Sequence, residues 1–552
     1  MISRARTRHI AETTDPEEAG ARKKQVVASY EVGTKRQRVT QERPKSNDQQ
    51  LAIYEGGQVM AATEEVPKSS VEATTGTDSD EWKKAIASEL GSLTANKTWK
   101  LVTNRLSLTS SRSEGILAKA WHRQQRGVLA GGFPEFDPCQ AGKFTADGFE
   151  IEQCDVDTAF FYGKLNGEIY MELPEELREL LVLAEAEGEG DVVYLLLQGL
   201  YGLKQTSRLW NETIDSHLQD MGFKATDADP CVYTTGEGND ECIVCLYVDE
   251  MLIAAKNKAI IASVKAGIAE KFKIKDLGRA RFILGIKINY AMEGRTLRIS
   301  QETYTESIIR KFRQESAKPC LTPLEAGIHL TKTDQPQTEP DKANMSSKPY
   351  RSLVGSLLYL ACCTRPDISN AVAQLSRFLE NPGHKHWDAS IRVVRYLLKT
   401  KDVGITCDGR QGTKLVAYSD ADWAGNRDDR SSVSGLMLMM CGAPLVWRST
   451  FQKTVALSST EADCMALSDC VKEVMWMQLL LKDFGSEQDG GTVIYEDNQG
   501  AMALAKNFGY QASTKHIYIR YHFIREKVTS GEVELEYVDT NNQLANYLTK
   551  GL

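Results

Sequence analysis

The stretch Cys242-Ile-Val-Cys-Leu-Tyr-Val-Asp-Glu-Met-Leu-Ile-Ala-Ala255 is an apolar run interrupted once, by Asp249 and Glu250. The β-prone residues on both sides of these acids predict two strands, buried on both faces, with the chain reversing between them. Two adjacent carboxylates at the tip of an apolar hairpin are costly to bury unless a cation or solvent compensates them. A divalent metal site is one interpretation, and a solvated turn, where Asp is common, is the other.

The composition is that of a multidomain globular protein. The chain has 552 residues, of which 41% are hydrophobic and 26% charged, and it contains no run of 18 apolar residues. The N-terminus lacks the apolar core of a secretory signal, and the twelve cysteines, mostly inside apolar segments, are typical of reduced core thiols. We therefore expect an intracellular protein with no membrane partner. The net charge of −8 disfavours a broadly basic nucleic-acid binder but leaves local basic clusters open.

A third acid lies upstream of the hairpin. The segment Gln153–Phe161 predicts a strand that ends near Asp155 and is followed by aromatic residues. Further on, a helix predicted to run to about Met221 begins near Lys204 and Arg208, which share a face where anions are favoured. An acid at a strand end, an acid pair on a neighbouring hairpin and a polar helix between them describe the palm of a template-dependent polymerase.

The chemistry of such a palm explains the pattern of acids. Two divalent ions about 3.5 to 4 Å apart bridge the attacking hydroxyl and the leaving oxygen, and carboxylates from separate strands hold them. Oxygen ligands favour Mg²⁺, with Mn²⁺ as the alternative. We therefore predict a magnesium site in this part of the chain.

A second group of acids lies near the C-terminal end. Asp420 ends a predicted strand, Glu461 lies in the first turn of a predicted helix that begins at Ser458, and Asp497 ends another strand. Carboxylates that fold together in this way repel one another, and a metal relieves the repulsion. We predict Asp420, Glu461 and Asp497 as catalytic metal ligands.

Several phrases of the sequence resemble a known family, the reverse transcriptase of copia-type retrotransposon polyproteins. The resemblance covers roughly residues 80–552 and preserves the order of its motifs. They include Gln-Cys-Asp-Val-Asp-Thr-Ala-Phe at 153–160, Leu-Tyr-Gly-Leu-Lys-Gln at 200–205, Tyr-Val-Asp at 247–249, Lys-Asp-Leu-Gly at 275–278 and Thr-Arg-Pro-Asp at 364–367.

The resemblance implies roles for single residues of the first group. Asp155 and Asp249 match the two metal-binding aspartates of the palm, and Glu250 completes the catalytic pair. Phe160 matches the bulky gate that favours deoxynucleotides. Gln205 lies in the segment that packs against the nascent base pair, and Lys275 lies near the departing pyrophosphate. With Lys204, these last three residues form the expected substrate-binding set.

The second group of acids resembles an RNase H domain. The resemblance therefore implies an enzyme that extends a DNA primer on an RNA or DNA template with deoxynucleotide triphosphates and cleaves the RNA of an RNA–DNA hybrid. His516 and His522 lie in a stretch that also matches the family, and the sequence assigns neither of them a role.

Three departures from the family pattern predict reduced activity. The family hairpin ends in Asp-Asp, whereas Glu250 is one methylene longer, and a misplacement of about 1 Å can cost on the order of 10²-fold in rate. The fingers are shortened, because residues 126–133 are a degraded copy of a basic segment and the helix expected between them and Gly148 is largely absent. Near the C-terminal end, Asn546 replaces an expected Asp, which weakens one metal.

The predicted fold is an α+β multidomain protein: a polymerase palm and fingers, a helical connection, and an RNase H-like α/β domain. The predicted boundaries are a disordered leader at 1–78, a reverse transcriptase at 79–320, a linker at 321–348, the connection at 349–410 and the RNase H-like domain at 411–552.

We expect this unit to work apart from an upstream integrase, in a cytoplasmic particle or the nucleus. The alternative is a catalytically decayed or co-opted remnant that binds nucleic acid.

Overall fold

The structure is a computed structural model that describes residues 53–55, 58–60, 98–103, 138–171, 192–201, 203–506 and 518–550. The sequence also predicts helices from Asp80 to about Leu93 and from Pro174 to Ala186, and both lie outside these residues, as does most of the predicted leader.

The described elements are twenty strands and twelve helices. The strands are β1 (Ile53–Glu55), β2 (Gln58–Met60), β3 (Trp99–Thr103), β4 (Glu150–Val156), β5 (Lys164–Met171), β6 (Val192–Gln198), β7 (Lys224–Ala225), β8 (Val232–Thr235), β9 (Cys242–Tyr247), β10 (Glu250–Ala255), β11 (Ile274–Arg279), β12 (Phe282–Ile283), β13 (Ile286–Ala291), β14 (Thr296–Ser300), β15 (Gly404–Asp408), β16 (Val416–Ala421), β17 (Val433–Met440), β18 (Ala443–Phe451), β19 (Thr492–Glu496) and β20 (Val533–Tyr537). The helices are α1 (Pro138–Asp147), α2 (Thr206–Asp220), α3 (Lys258–Ala269), α4 (Glu302–Lys311), α5 (Glu339–Ser346), α6 (Tyr350–Cys363), α7 (Ser369–Ser376), α8 (His384–Lys399), α9 (Ser459–Asp483), α10 (Gln499–Lys506), α11 (Tyr518–Thr529) and α12 (Asn546–Thr549).

The apolar run on either side of Asp249 and Glu250 forms the hairpin β9–β10, as predicted. It lies in a six-stranded sheet of order β11-β4-β10-β9-β8-β7. Alternate residues of this sheet enter two different cores, because successive side chains of a strand point to opposite faces. One face packs against α2 and α3, and the other joins a larger core with the C-terminal half of the chain.

The C-terminal sheet has five strands in the order β18-β17-β16-β19-β20. Strands β16, β17 and β18 pair antiparallel, whereas β19 and β20 run parallel to β16. Helix α9 packs against β16 and β17, and it buries nearly its whole first half. Because β16 and β19 are parallel neighbours, the acids at their C-terminal ends, Asp420 and Asp497, lie at the same edge of the sheet.

The helical connection predicted at 349–410 contains three α-helices, α6, α7 and α8. After α8 the chain forms β15, which pairs with β14 in a second sheet of the N-terminal half. The C-terminal end of the connection is therefore hydrogen-bonded, through β15, to strand β14, which precedes the connection in the sequence.

The tract predicted as a linker is largely folded. It contains α5, and it buries Leu324, Leu330 and Met345. Asp334 also pairs with Lys385 of α8 at 3.2 Å. The many polar residues suggested a linker, but these scattered apolar side chains anchor the tract to the helical core.

The helix that the sequence analysis took to be missing before Gly148 is present as α1. It buries Ala141 and Phe144, and its nearly buried Lys143 pairs with Asp147 at 2.7 Å and donates to the Ser486 hydroxyl at 2.9 Å. The prediction was wrong because α1 is short and is stabilised by contacts with residues far along the chain.

Both halves of the described chain share one hydrophobic core. Ile151 and Leu252 of the first sheet lie in it together with Leu436 and Leu438 of β17. The predicted domain boundaries therefore do not separate independent cores. No helix of the described ranges is both long enough and apolar enough to cross a membrane.

Candidate active sites

The register of the first sheet brings its acids together. Glu250 on β10 lies directly opposite Asp155 on β4, and Lys275 on β11 lies opposite Asp155 on the other side. Residues opposite one another across neighbouring strands share a face of the sheet. The carbonyl of Asp249 also accepts the N–H of Val156 at 2.8 Å, so the tip of the hairpin is bonded to the end of β4.

The hairpin turn that presents Asp249 is strained. Val248 has a φ of 52°, a left-handed conformation that costs a β-branched residue about 1–3 kcal/mol. A two-residue turn with positive φ at its first position suits a tight hairpin and normally has glycine there. The indole N–H of Trp210 on α2 donates to the Val248 carbonyl and holds this turn in place.

The electrostatics of this first centre favour a cation. The pKa of Asp249 is raised to about 6, chiefly by burial and then by the charge of Asp155, while the backbone N–H groups of Asp249 and Glu250 lower it. The pKa of Asp155 is raised by burial and by Asp157, while Lys275 lowers it. Carboxylates whose ionisation is disfavoured by burial and by neighbouring acids are suited to hold a divalent ion.

The structure places the predicted substrate-binding residues on different elements. Lys275 pairs in register with Asp155. The ring of Phe160 is half-buried and packs edge-on against Tyr201, with centroids 4.9 Å apart. Lys204 and Gln205 precede the first turn of α2, the helix that also carries the Trp210 anchor.

The second centre forms where the parallel strands β16 and β19 end. Asp420 is the second-last residue of β16, and Asp497 directly follows β19. Asp463 of α9 joins them: its Oδ1 accepts the N–H of Ala421 at 2.8 Å and its Oδ2 accepts the amide of Asn498 at 2.6 Å. The pKa of Asp463 is raised to about 7, chiefly by burial and also by the charges of Asp420 and Asp497, while its hydrogen bonds to Asn498 and Ala421 oppose the rise.

Glu461, which the sequence analysis placed in this group, has a different role in the structure. Its Oε2 accepts the N–H of Leu457 at 2.8 Å, and its own N–H donates to the Ser458 hydroxyl at 3.2 Å. These two bonds cap the start of α9, at the N-cap residue Ser458 and at the residue before it. Two residues apart on a helix point about 200° apart, so Glu461 and Asp463 cannot face the same site.

The signal that identifies Asp463 was present in the sequence. Between Ala462 and Leu467 the helix reads Ala-Asp-Cys-Met-Ala-Leu, and every one of these residues is buried. An acid inside such a run is rarely tolerated unless it is paired or functional. The prediction chose Glu461 because it opens the helix.

Glu496 is a further residue of this centre that the sequence pattern did not identify. This residue is fully buried, and its Oε1 accepts the N–H of Asn498 at 3.1 Å while its Oε2 has no hydrogen-bond partner in the described part of the chain. Burial raises its pKa well above the ordinary value, and Asp463 and then Asp497 and Asp420 add to the effect.

The short helix α12 closes this centre from the C-terminal side. The Thr549 hydroxyl donates to Asp420 Oδ2, and the Lys550 ammonium lies 3.9 Å from the same oxygen. Burial raises the pKa of Asp420, and these two groups oppose the rise. Of the two histidines noted in the sequence, His522 lies on α11 beside Tyr521, and His516 lies outside the described residues.

Within the described ranges, no three acidic, histidine or cysteine side chains are grouped closely enough to hold a metal as they stand. The donor sets still suit Mg²⁺ chemically, because they are hard carboxylate oxygens that repel one another. The unpartnered oxygen of Glu496 adds a buried polar atom without compensation at the second centre.

Comparisons with known proteins show which family the chain belongs to. A family profile described as reverse transcriptase (RNA-dependent DNA polymerase) matches residues 144–326. The retrovirus-related Pol polyprotein from transposon TNT 1-94 of Nicotiana tabacum is 43% identical over 402 residues, 73% of this chain and 30% of that protein. A putative transposon Ty5-1 protein of Saccharomyces cerevisiae is 32% identical over 321 residues, 58% of this chain and all of that protein. The chain belongs to the copia-type retrotransposon Pol family.

As a copia-type Pol chain, it spans about a third of the length of the plant polyproteins that it matches. A solved structure of the foamy viral protease-reverse transcriptase in complex with dsDNA is 12% identical, with a TM-score of 0.41, and the match covers 96% of this chain and 95% of that chain. A TM-score of this size assigns no property to the copia-type chain.

Proposed function

We propose that the chain is an RNA-directed DNA polymerase that also cleaves the RNA strand of an RNA–DNA hybrid. Its substrates are an RNA template, a DNA primer and deoxynucleotide triphosphates. The observation that carries the proposal is the convergence of Asp155 and Asp249, residues distant in sequence: Asp155 lies on β4, Asp249 lies in the turn before its partner strand β10, and the charge of Asp155 raises the pKa of Asp249.

In this proposal, Asp155 and Asp249 hold Mg²⁺ at the first centre, and Glu250 lies beside them on the same sheet. When bound, the metal supplies positive charge to the attacking and leaving oxygens of the displacement. Lys275 offsets the charge of Asp155 before substrate arrives. The Trp210 bond to the hairpin turn keeps Asp249 fixed, because catalytic groups must hold their positions closely.

Primer extension tests the polymerase. Asp249→Asn keeps the size of the side chain and removes its charge, so we expect extension with Mg²⁺ or Mn²⁺ to fall about 10²-fold or more. The matched control is Asp240→Asn, an exposed acid in the loop before the same hairpin, which should extend primers as the wild type does. Equal extension by the wild type and Asp249→Asn would overturn the assignment.

At the second centre, the proposal gives the metal-binding role to Asp420, Asp463 and Asp497 in place of the predicted set with Glu461. Cleavage of a labelled RNA–DNA hybrid separates the two sets. Asp463→Asn should abolish cleavage, whereas Glu461→Gln keeps a side-chain acceptor for the Leu457 N–H and should retain most of it. The opposite pattern would restore Glu461 and exclude Asp463.

The second candidate function is a remnant that binds nucleic acid without catalysis. It is favoured by Asn546, whose amide oxygen accepts the Lys550 ammonium instead of carrying the charge that the family pattern has there. Hybrid binding by the wild type, with neither extension nor cleavage in Mg²⁺ or Mn²⁺, would establish this candidate.

A further inference from the structure

A lysine ammonium lies between two oxygens at the edge of the second centre. Lys550 Nζ donates to Asn546 Oδ1 at 2.5 Å and lies 3.9 Å from Asp420 Oδ2. The Lys550 side chain is 54% exposed, so its charge reaches both the acids and the solvent. A positive charge is thus already present where Asp420 and residue 546 face each other.

Hydrogen bonds fix the direction of the Asn546 amide. Its Nδ2 donates to the Thr540 carbonyl at 2.5 Å, which leaves Oδ1 to accept from Lys550. Thr540 is held in turn, because its hydroxyl donates to Asp497 Oδ2 at 2.7 Å. An aspartate at 546 has no proton to donate and would face the Thr540 carbonyl with like partial charge. The asparagine therefore suits this arrangement better than the acid does.

The backbone that carries Lys550 is also anchored. The Leu548 carbonyl accepts from the Asn370 amide at 3.1 Å and from the Ser449 hydroxyl at 2.6 Å. The next residue, Thr549, donates to Asp420. Three separate elements thus fix the chain immediately before Lys550, so its ammonium lies near Asp420 because the fold holds it there.

We propose that Lys550 is a built-in cation of this centre, which takes the position between Asp420 and Asn546 and limits the centre to one divalent ion. That ion is held by Asp420, Asp463 and Asp497. The inference rests on the proposed function for its metal ligands but concerns the number and affinity of ions, not turnover. The lysine thus occupies the place that an ion held by an acid at position 546 would take.

Calorimetric titration with Mn²⁺ tests this without any nucleic acid. The full chain is used in an Asp249→Asn background, which silences the first centre. Lys550→Met removes a positive charge 3.9 Å from Asp420 Oδ2, one of the oxygens that would hold the ion, so we expect Mn²⁺ to bind about fivefold or more tightly. Lys550→Arg keeps the charge and should bind as the parent does. Lys550→Met with Asn546→Asp should bind a second ion.

The matched control is Lys472→Met. Lys472 is 51% exposed and also pairs with an acid, Asp469, at 2.9 Å, but this pair lies on α9 away from the centre. It should leave Mn²⁺ binding unchanged. Unchanged or weaker binding by Lys550→Met, or a second ion in the parent, would overturn the inference, and so would the absence of Mn²⁺ binding in every variant.

Failure of the proposed function gives a different result. If Lys550→Met tightens Mn²⁺ binding while no variant cleaves a hybrid, the built-in cation stands and the nuclease activity does not.

Discussion

Replacing Arg365 with Met should destabilise the protein strongly. Arg365 is 1% exposed, and its guanidinium makes two parallel bonds to Asp367, at 2.8 Å and 2.6 Å. It also donates to the Thr400 carbonyl at 2.9 Å and to the Thr400 hydroxyl at 2.7 Å. Asp367 accepts a further bond from the Tyr396 hydroxyl at 2.8 Å. One side chain thus joins the end of α6 to the end of α8.

The magnitude follows from burial. Removing one partner of a buried ion pair costs about 3–5 kcal/mol, because the other charge is left uncompensated. Asp367 is 22% exposed, so water offsets part of that loss and the lower end, about 3 kcal/mol, applies. Replacing Asp367 with Asn as well removes the stranded charge, so the double variant should be less destabilised than the two single variants added together.

Urea unfolding followed by circular dichroism measures these changes as shifts of the midpoint. Arg410→Met is the matched control, since Arg410 makes the same two-bond contact with Asp408, at 2.8 Å and 2.9 Å, but is 69% exposed. That variant should unfold with the wild-type midpoint. If Arg365→Met also left the midpoint unchanged, or if the double variant lost the full sum, burial would not control the strength of these pairs.

Two further predictions concern the second centre. Burial raises the folded-state pKa of Glu496, so the stability that this group contributes is fully present below the unfolded pKa and is lost as the pH rises. The free energy of unfolding of Glu496→Gln should therefore increase relative to that of the wild type by up to about 1.4 kcal/mol per pH unit above that pKa. A difference in urea midpoint between the two proteins that is the same at pH 5 and pH 7 would contradict this. Trp423 is 54% exposed, and its indole N–H donates to the Ala456 carbonyl at 3.2 Å, so its ring is oriented and available for base stacking. Trp423→Ala should weaken hybrid binding about tenfold and Trp423→Phe much less. Equal dissociation constants for these two variants in a fluorescence titration would exclude the contact.

The sequence predicted the elements whose signal is local and strong. The hairpin around Asp249 is a continuous apolar run, and the strand that ends near Asp155 and the three connecting helices follow clear periodicity. The proximity of Asp155 and Asp249 could be inferred because their motifs resemble a family with that geometry. In the structure, β4, which carries Asp155, pairs with β10, which directly follows Asp249.

The remaining features depend on contacts that no local pattern encodes. Helix α1 is stabilised by residues such as Ser486, more than 300 positions away. The choice between Glu461 and Asp463 depends on which acid caps the helix start and which one faces the sheet. The sequence decides this only if the capping role of Glu461 is recognised first. Lys550 approaches Asp420 because Leu548 is held by distant elements, which composition does not reveal.

The core shared by Leu252 and Leu436 has a consequence for how a bound duplex would be processed. If the two centres cannot move independently, the distance between them is fixed. Each cut in the RNA should then fall a constant number of nucleotides behind the growing 3′ end. A footprint of uniform length across unrelated templates would be the signature of that rigidity, and a smear of lengths would mean that the halves slide against each other.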